Sequence, residues 1–128
     1  ELARTSIDHE NVDHVDDEGM IAAYREADII AFCSTYEGFG LPIIEGQAMR
    51  KPVITSNISP MLEVSGMVAE LIDPHDFASI RSGIQRIIAD KQHRDRMVEL
   101  GVENAKRFEA TTIAEKYGAL YDEMLAAN

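Results

Sequence analysis

Apolar residues follow two regimes along this chain: short runs in the first part and a spacing of three to four in the last. Asp28 to Cys33 (DIIAFC), Val53 to Ser56 and Val68 to Ile72 are brief, nearly continuous apolar runs. Runs of that length predict strands covered on both faces. Asn11 to Val15, with Val12 and Val15, is a weaker strand candidate. Asp16, Asp17 and Glu18 suit the positive end of a helix running to about Ala27, with Ile21, Tyr24 and Ala27 inward. A second helix is predicted to open at Pro42, where the ring pre-sets φ, and to end near Arg50 because Pro52 bars continuation. Pro60 to Val64 reads as a short turn or helical piece.

After Asp73-Pro74 the period changes. Phe77, Ile80, Ile84 and Ile87 mark an amphipathic helix, and Met97, Leu100, Asn104 and Phe108 a second. Ile113, Tyr117, Leu120, Tyr121 and Met124 mark a third, opening on Thr112-Ile113-Ala114-Glu115, a capping-box pattern. Its apolar face is free to pack on the sheet or on a further domain. Lys91 to Arg96 suits a helix start, and Met49, Met61 and Met67 suit gaps in a core. Strands alternating with helices predict βαβ units and a doubly wound parallel sheet. The fold class is therefore α/β, one domain with a sheet region at about 11–76 and helices at about 76–126.

Composition narrows the function. The 128 residues carry a formal charge of −11, and the excess lies wholly in residues 1–80, with 4 basic against 15 acidic side chains. Nucleic acid and anionic lipid are poor partners for such a surface. No apolar run approaches the roughly 18 residues that span a bilayer. The single Cys33 forms no internal disulfide, fits a reducing compartment, and sits in an apolar run as a buried, inert thiol. His9 and His14 lie in an acidic, solvated loop, without paired-His or cysteine spacing for a metal. His75 belongs to a turn or helix cap, and His93 to an exposed basic run. The chain begins with Glu1, and Glu1 to Thr5 resembles the tail of a helix, so a piece of a longer protein is expected.

The chemistry concentrates in Ser34-Thr35-Tyr36-Glu37-Gly38-Phe39-Gly40-Leu41-Pro42-Ile43-Ile44-Glu45, between a strand end and a helix start. Ligands of open parallel sheets bind there. Gly38 and Gly40 let backbone N–H groups approach a ligand closely, and the helix start adds free donors and partial positive charge. Glu37 and Glu45 each accept two hydrogen bonds, which suits a vicinal diol. Taken singly, the glycines fit a tight turn and Glu45 fits the helix dipole. Together they fit a pocket.

The stretch EGFGLPIIE resembles the Glu-x7-Glu signature of retaining GT-B glycosyltransferases, family 4 of glycosyl transferases group 1. Ala22-Ala23-Tyr24-Arg25-Glu26-Ala27-Asp28, Lys51-Pro52-Val53-Ile54, Glu63 and Asp73-Pro74-His75-Asp76 extend the resemblance from about Asn11 to Asp76. It implies the Rossmann-like, C-terminal, donor-binding half of a GT-B enzyme. Glu37 would be catalytic, facing the donor sugar, and Glu45 would hold the ribose. The N–H groups of Gly38, Phe39, Gly40 and Leu41 would approach sugar and diphosphate. The resemblance implies a UDP-, GDP- or ADP-sugar as substrate, no metal or other cofactor, and a cytoplasmic enzyme, peripheral to the membrane only through another domain. The alternative is a module that binds nucleotide or sugar without turnover, or an inert fragment that self-associates.

Two departures stand out. Arg50 replaces the family's usual glycine, as a solvated helix end or an extra phosphate contact, and the glycine usual before Glu63 is missing. The family's diphosphate-clamping Arg and Lys, and its first, acceptor-binding domain, would precede Glu1. In the family's strand order 3-2-1-4-5-6, Asn11 to Val15 is strand 3 and Asp28 to Cys33 is strand 4. The sheet would then be incomplete at its N-terminal side, with an open edge on the Ile29 strand that invites self-association.

Overall fold

The computed structural model describes residues 7–127, so the expectation for Glu1 to Thr5 lies outside the described residues. The elements run α1 (Asp17–Glu26), β1 (Ile30–Phe32), α2 (Leu41–Ala48), β2 (Val53–Ser56), α3 (Met61–Val64), β3 (Glu70–Ile72), α4 (Phe77–Ala89), α5 (Lys91–Ala105) and α6 (Ala110–Ala126). A 3₁₀ turn, Lys106–Phe108, joins α5 to α6. The strands form a parallel sheet of order β1-β2-β3, with Ile30 opposite Val53 and Ile54 opposite Glu70. Helices cover both faces, as the doubly wound expectation requires.

The alternation of β2 generates the two cores. Val53 joins Ile43, Met61, Val64 and Ala69 in one cluster, while its neighbour Ile54 joins Ile72, Ile87 and Met97 in the other. Successive strand side chains point to opposite faces, so α2 and α3 sit on one side and α4 on the other. Gly83 lets α4 approach closely: a Cβ there would stand 2.7 Å from Ile72 Cγ2. A buried amide network then ties α5 to α2 and α3. Asn104 Nδ2 donates to Gln47 Oε1 and to the Val64 carbonyl, both at 2.8 Å, and Gln47 Nε2 donates to the Ser65 carbonyl at 3.0 Å. Every one of these buried groups is paired, as burial demands.

Several expectations need correction. Asn11 to Val15 forms no strand; Val12 and Val15 are exposed, and the segment has no neighbouring strand to pair with among the described residues. The run at Asp28 to Cys33 is strand only over Ile30–Phe32, and Ala31 is exposed rather than covered on both faces. Helix α1 buries no residue, and Ile21 stays exposed. Met67 is exposed too, in a left-handed turn after α3. His93 is half-buried against Glu70 instead of free in solvent.

Thr112 caps nothing, because α6 starts at Ala110 with Glu109 before it and no side-chain cap bond. The helix start after the 3₁₀ turn lies three residues early, leaving Thr112 inside the first turn. Tyr117, Leu120, Tyr121 and Met124 are exposed, so the apolar face of α6 does not pack on the sheet. No helix among the described residues is long and apolar enough to cross a membrane.

Candidate functional site

All three strands are parallel, so their C-terminal ends lie at one side of the sheet, where the chain leaves β1 through Cys33 and Ser34. Two fully buried hydroxyls hold that departure. Thr55 Oγ1 donates to the Phe32 carbonyl at 2.8 Å, and Ser56 Oγ donates to the Ser34 carbonyl at 2.6 Å. Ser34 Oγ in turn donates to the Tyr36 carbonyl at 3.1 Å, folding the loop towards Glu37. The loop therefore starts from a rigid strand end.

It ends at Gly40, which is buried and left-handed with φ 103° and ψ 51°. An L-residue is strained at that φ, and a Cβ there would stand 3.1 Å from Ile43 Cδ1. Helix α2 begins at Leu41, one residue before the predicted Pro42, so the proline occupies the second helical position. Helices α1, α4 and α5 each carry an aspartate at the N-cap, Asp16, Asp76 and Asp90, whose side chain accepts an N–H of the first turn. Helix α2 has glycine there and no side-chain cap. Among the described residues nothing accepts from the N–H groups of Gly38, Phe39, Gly40 or Leu41. These donors stand ready for an anion or a hydroxyl oxygen.

The carboxylates sit on either side of this turn. Glu37 is half-buried in the loop, and no described residue hydrogen-bonds its carboxylate. Glu45 is exposed on the second turn of α2, where Tyr24 Oη donates to its Oε2 at 2.6 Å. Burial first, then the Glu45 carboxylate, push the Tyr24 phenol well above its ordinary 10.0. Glu45 also borders a cavity of about 410 Å³ between α1 and α2, with Met20, Ile21, Tyr24, Ala48 and Met49. Glu37 does not line that cavity. Glu37, Gly38, Phe39, Gly40 and Leu41 lie in the loop while Glu45 faces the α1–α2 cleft, so the cavity beside Glu45 is not the one pocket expected for both carboxylates. Phe39 packs edge-on against Phe108, ring centroids 5.6 Å apart, so the turn is braced from the far end of α5.

Two neighbours escaped the reading of the sequence. Tyr24 lies 21 residues before Glu45, and only the packing of α1 beside α2 brings them together. Buried Glu70 is held by Arg86 at 3.0 Å and His93 at 2.9 Å, from α4 and α5, in a clamp that no local spacing announces. Arg50 adopts φ 58° where α2 ends, at the strands' N-terminal side and so away from the loop. It lines a surface cleft with Asp28, Lys51, Arg94, Asp95 and Glu99, charges that balance. The phosphate contact considered for it has no support in that position. Among the described residues no group of three His, Cys, Asp or Glu is placed to hold a metal ion.

Comparison with known proteins matches residues 4–104 to the family model of glycosyl transferases group 1. D-inositol 3-phosphate glycosyltransferase of Corynebacterium efficiens is 35% identical over 112 residues, covering 86% of this chain and 26% of that one. O-antigen chain mannosyltransferase B of Escherichia coli is 35% identical over 95 residues, covering 74% and 25%. The solved sucrose-phosphate synthase of Thermosynechococcus elongatus superposes with a TM-score of 0.76 at 31% identity, covering 91% of this chain and 30% of that one. An α,α-trehalose-phosphate synthase from Burkholderia vietnamiensis shares the fold at 16% identity, also with a TM-score of 0.76. The chain spans about a quarter of the length of the sequence relatives named here.

Proposed function

The chain belongs to the glycosyl transferases group 1 family, and on that premise we propose that it is the donor-binding part of a retaining GT-B enzyme of family 4, C-terminal in the longer protein. The relatives are named for different products and acceptors, yet they match one and the same segment. What they have in common is the transfer of an activated sugar, so the shared segment is best read as the donor side. The acceptor site and the clamping cations belong to chain outside this segment.

The observation that carries the reading is the turn from β1 into α2: free N–H donors at Phe39, Gly40 and Leu41, with a carboxylate before and after them. Glu45 takes the ribose diol and Glu37 the hydroxyls of the sugar, orienting it for attack. The leaving diphosphate gains charge as the glycosidic bond opens. Preorganised N–H dipoles stabilise that charge without rearranging, and cations from the rest of the enzyme complete the effect.

Thermal-shift titration with UDP-, GDP- and ADP-sugars is the test. One nucleotide series stabilises the chain saturably; at about 100 times Kd the gain is about 2.7 kcal/mol. Glu45→Ala abolishes that gain. Glu37→Gln makes the nucleotide sugar bind no better than the bare diphosphate. No shift at millimolar ligand would refute the donor reading.

The edge of β1 away from β2 has no strand partner among the described residues. In the longer enzyme, upstream strands cover it; in the isolated chain, a second copy does. Sedimentation velocity then finds concentration-dependent association that Ala31→Lys suppresses, since a charge on an edge blocks pairing. A monomer at every concentration would contradict this.

A further inference from the structure

Glu45 is exposed on its helix, and among the described residues Tyr24 is the one hydrogen-bond partner of its carboxylate. A free glutamate at such a place samples many rotamers, and a ligand that uses it must first order it. The 2.6 Å bond from Tyr24 Oη to Glu45 Oε2 is of the charge-assisted kind, short and directional. We infer that Tyr24 is a positioning residue: its hydroxyl fixes the rotamer and plane of the Glu45 carboxylate before the donor's ribose arrives.

The inference rests on the reading that Glu45 takes the ribose diol. An ionised carboxylate offers about four lone-pair sites. Tyr24 occupies one on Oε2, which leaves Oε1 and the second site of Oε2 for two vicinal hydroxyls. The carboxylate borders open space, since both residues line the 410 Å³ cavity between α1 and α2. The half-buried phenol stays protonated at neutral pH, because burial and the neighbouring carboxylate both disfavour phenolate, so it remains a donor there. An ordering cost met in the free protein is not charged against binding.

A purely structural bridge between α1 and α2 would use the same atoms, so the test must separate the two roles. Tyr24→Phe keeps the ring and removes only the donor. Calorimetric titration with UDP, GDP and ADP identifies the diphosphate that binds best. That ligand and its 2′,3′-dideoxy analogue are then titrated into the unsubstituted chain, Y24F, E45Q and the double variant. Positioning predicts that Y24F binds the ribonucleotide about tenfold more weakly, equivalent to about 1.4 kcal/mol. It also predicts that the dideoxy analogue binds both chains alike, and that the double variant is no weaker than E45Q.

Ribonucleotide affinity unchanged in Y24F but reduced in E45Q overturns the inference and leaves the donor reading intact. Equal weakening of both ligands by Y24F also overturns it, in favour of a structural bridge. Affinity unchanged in E45Q, or no binding by the unsubstituted chain, removes the donor reading and the inference with it.

Discussion

Arg50 holds a left-handed backbone, φ 58°, at the end of α2, a conformation that costs an L-residue about 1–2 kcal/mol. Its guanidinium lies in a charge-balanced surface cleft that returns little of that cost. Arg50→Gly should therefore raise stability by about 1 kcal/mol, seen as a higher urea midpoint at unchanged slope. The glycine absent from the sequence was legible; that its replacement sits at positive φ was not.

Tyr24 gives a pH-dependent counterpart. Its folded phenol titrates above the ordinary 10.0, through burial and then the Glu45 carboxylate, so folding favours the protonated form. That stabilisation is complete below about pH 10 and is lost as pH rises through the raised folded value. Chemical-denaturation stability of the unsubstituted chain should fall above pH 10 more steeply than that of Y24F. Parallel curves would show that the phenol does not carry the effect.

At the scale of elements, the helix starts obeyed the sequence where a polar cap preceded them. Asp16 accepts from the Gly19 N–H as the acidic run suggested, whereas Thr112 is overridden by the turn that precedes α6. The contact of α4 with the sheet depends on Gly83, where a Cβ would meet Ile72 Cγ2 at 2.7 Å and Ile54 Cδ1 at 2.9 Å. Alanine is the better helix former by about 1 kcal/mol, yet the clash should dominate. Gly83→Ala is expected to destabilise the fold by about 1–3 kcal/mol in urea melts.

Helices α4 and α5 hold the buried Glu70 carboxylate through Arg86 and His93. Arg86 is 60% exposed, so its pairing is partly screened by water. Arg86→Ala should still cost about 1 kcal/mol or more, because Glu70 keeps only one of its two partners. Equal stability of R86A and the unsubstituted chain would show that His93 alone suffices.

At the scale of the whole molecule, the acidic first part of the chain is the part that folds into the sheet, and its parallel order brings every strand exit to one side. The loop after β1 can therefore face a ligand together with the starts of α3 and α4. Among the described residues, Ile21 of α1 and Tyr117, Leu120 and Tyr121 of α6 are exposed, and the outer edge of β1 has no strand partner. In proteins about three times this length, as these relatives are, such surfaces have further chain to pack against.

The sequence by itself determined most element types and the parallel sheet, and it marked the loop from Ser34 to Glu45 as the candidate site. Each of these rests on local information: a period of two or 3.6, a proline or glycine at a fixed place, a carboxylate spacing. Tertiary structure alone decided that Tyr24 meets Glu45, that Glu70 meets His93, that Arg50 is left-handed and that Asn11 to Val15 forms no strand. Those facts join residues tens of positions apart, or depend on whether a neighbour is present. The path of the folded chain sets them, and no local pattern encodes that path.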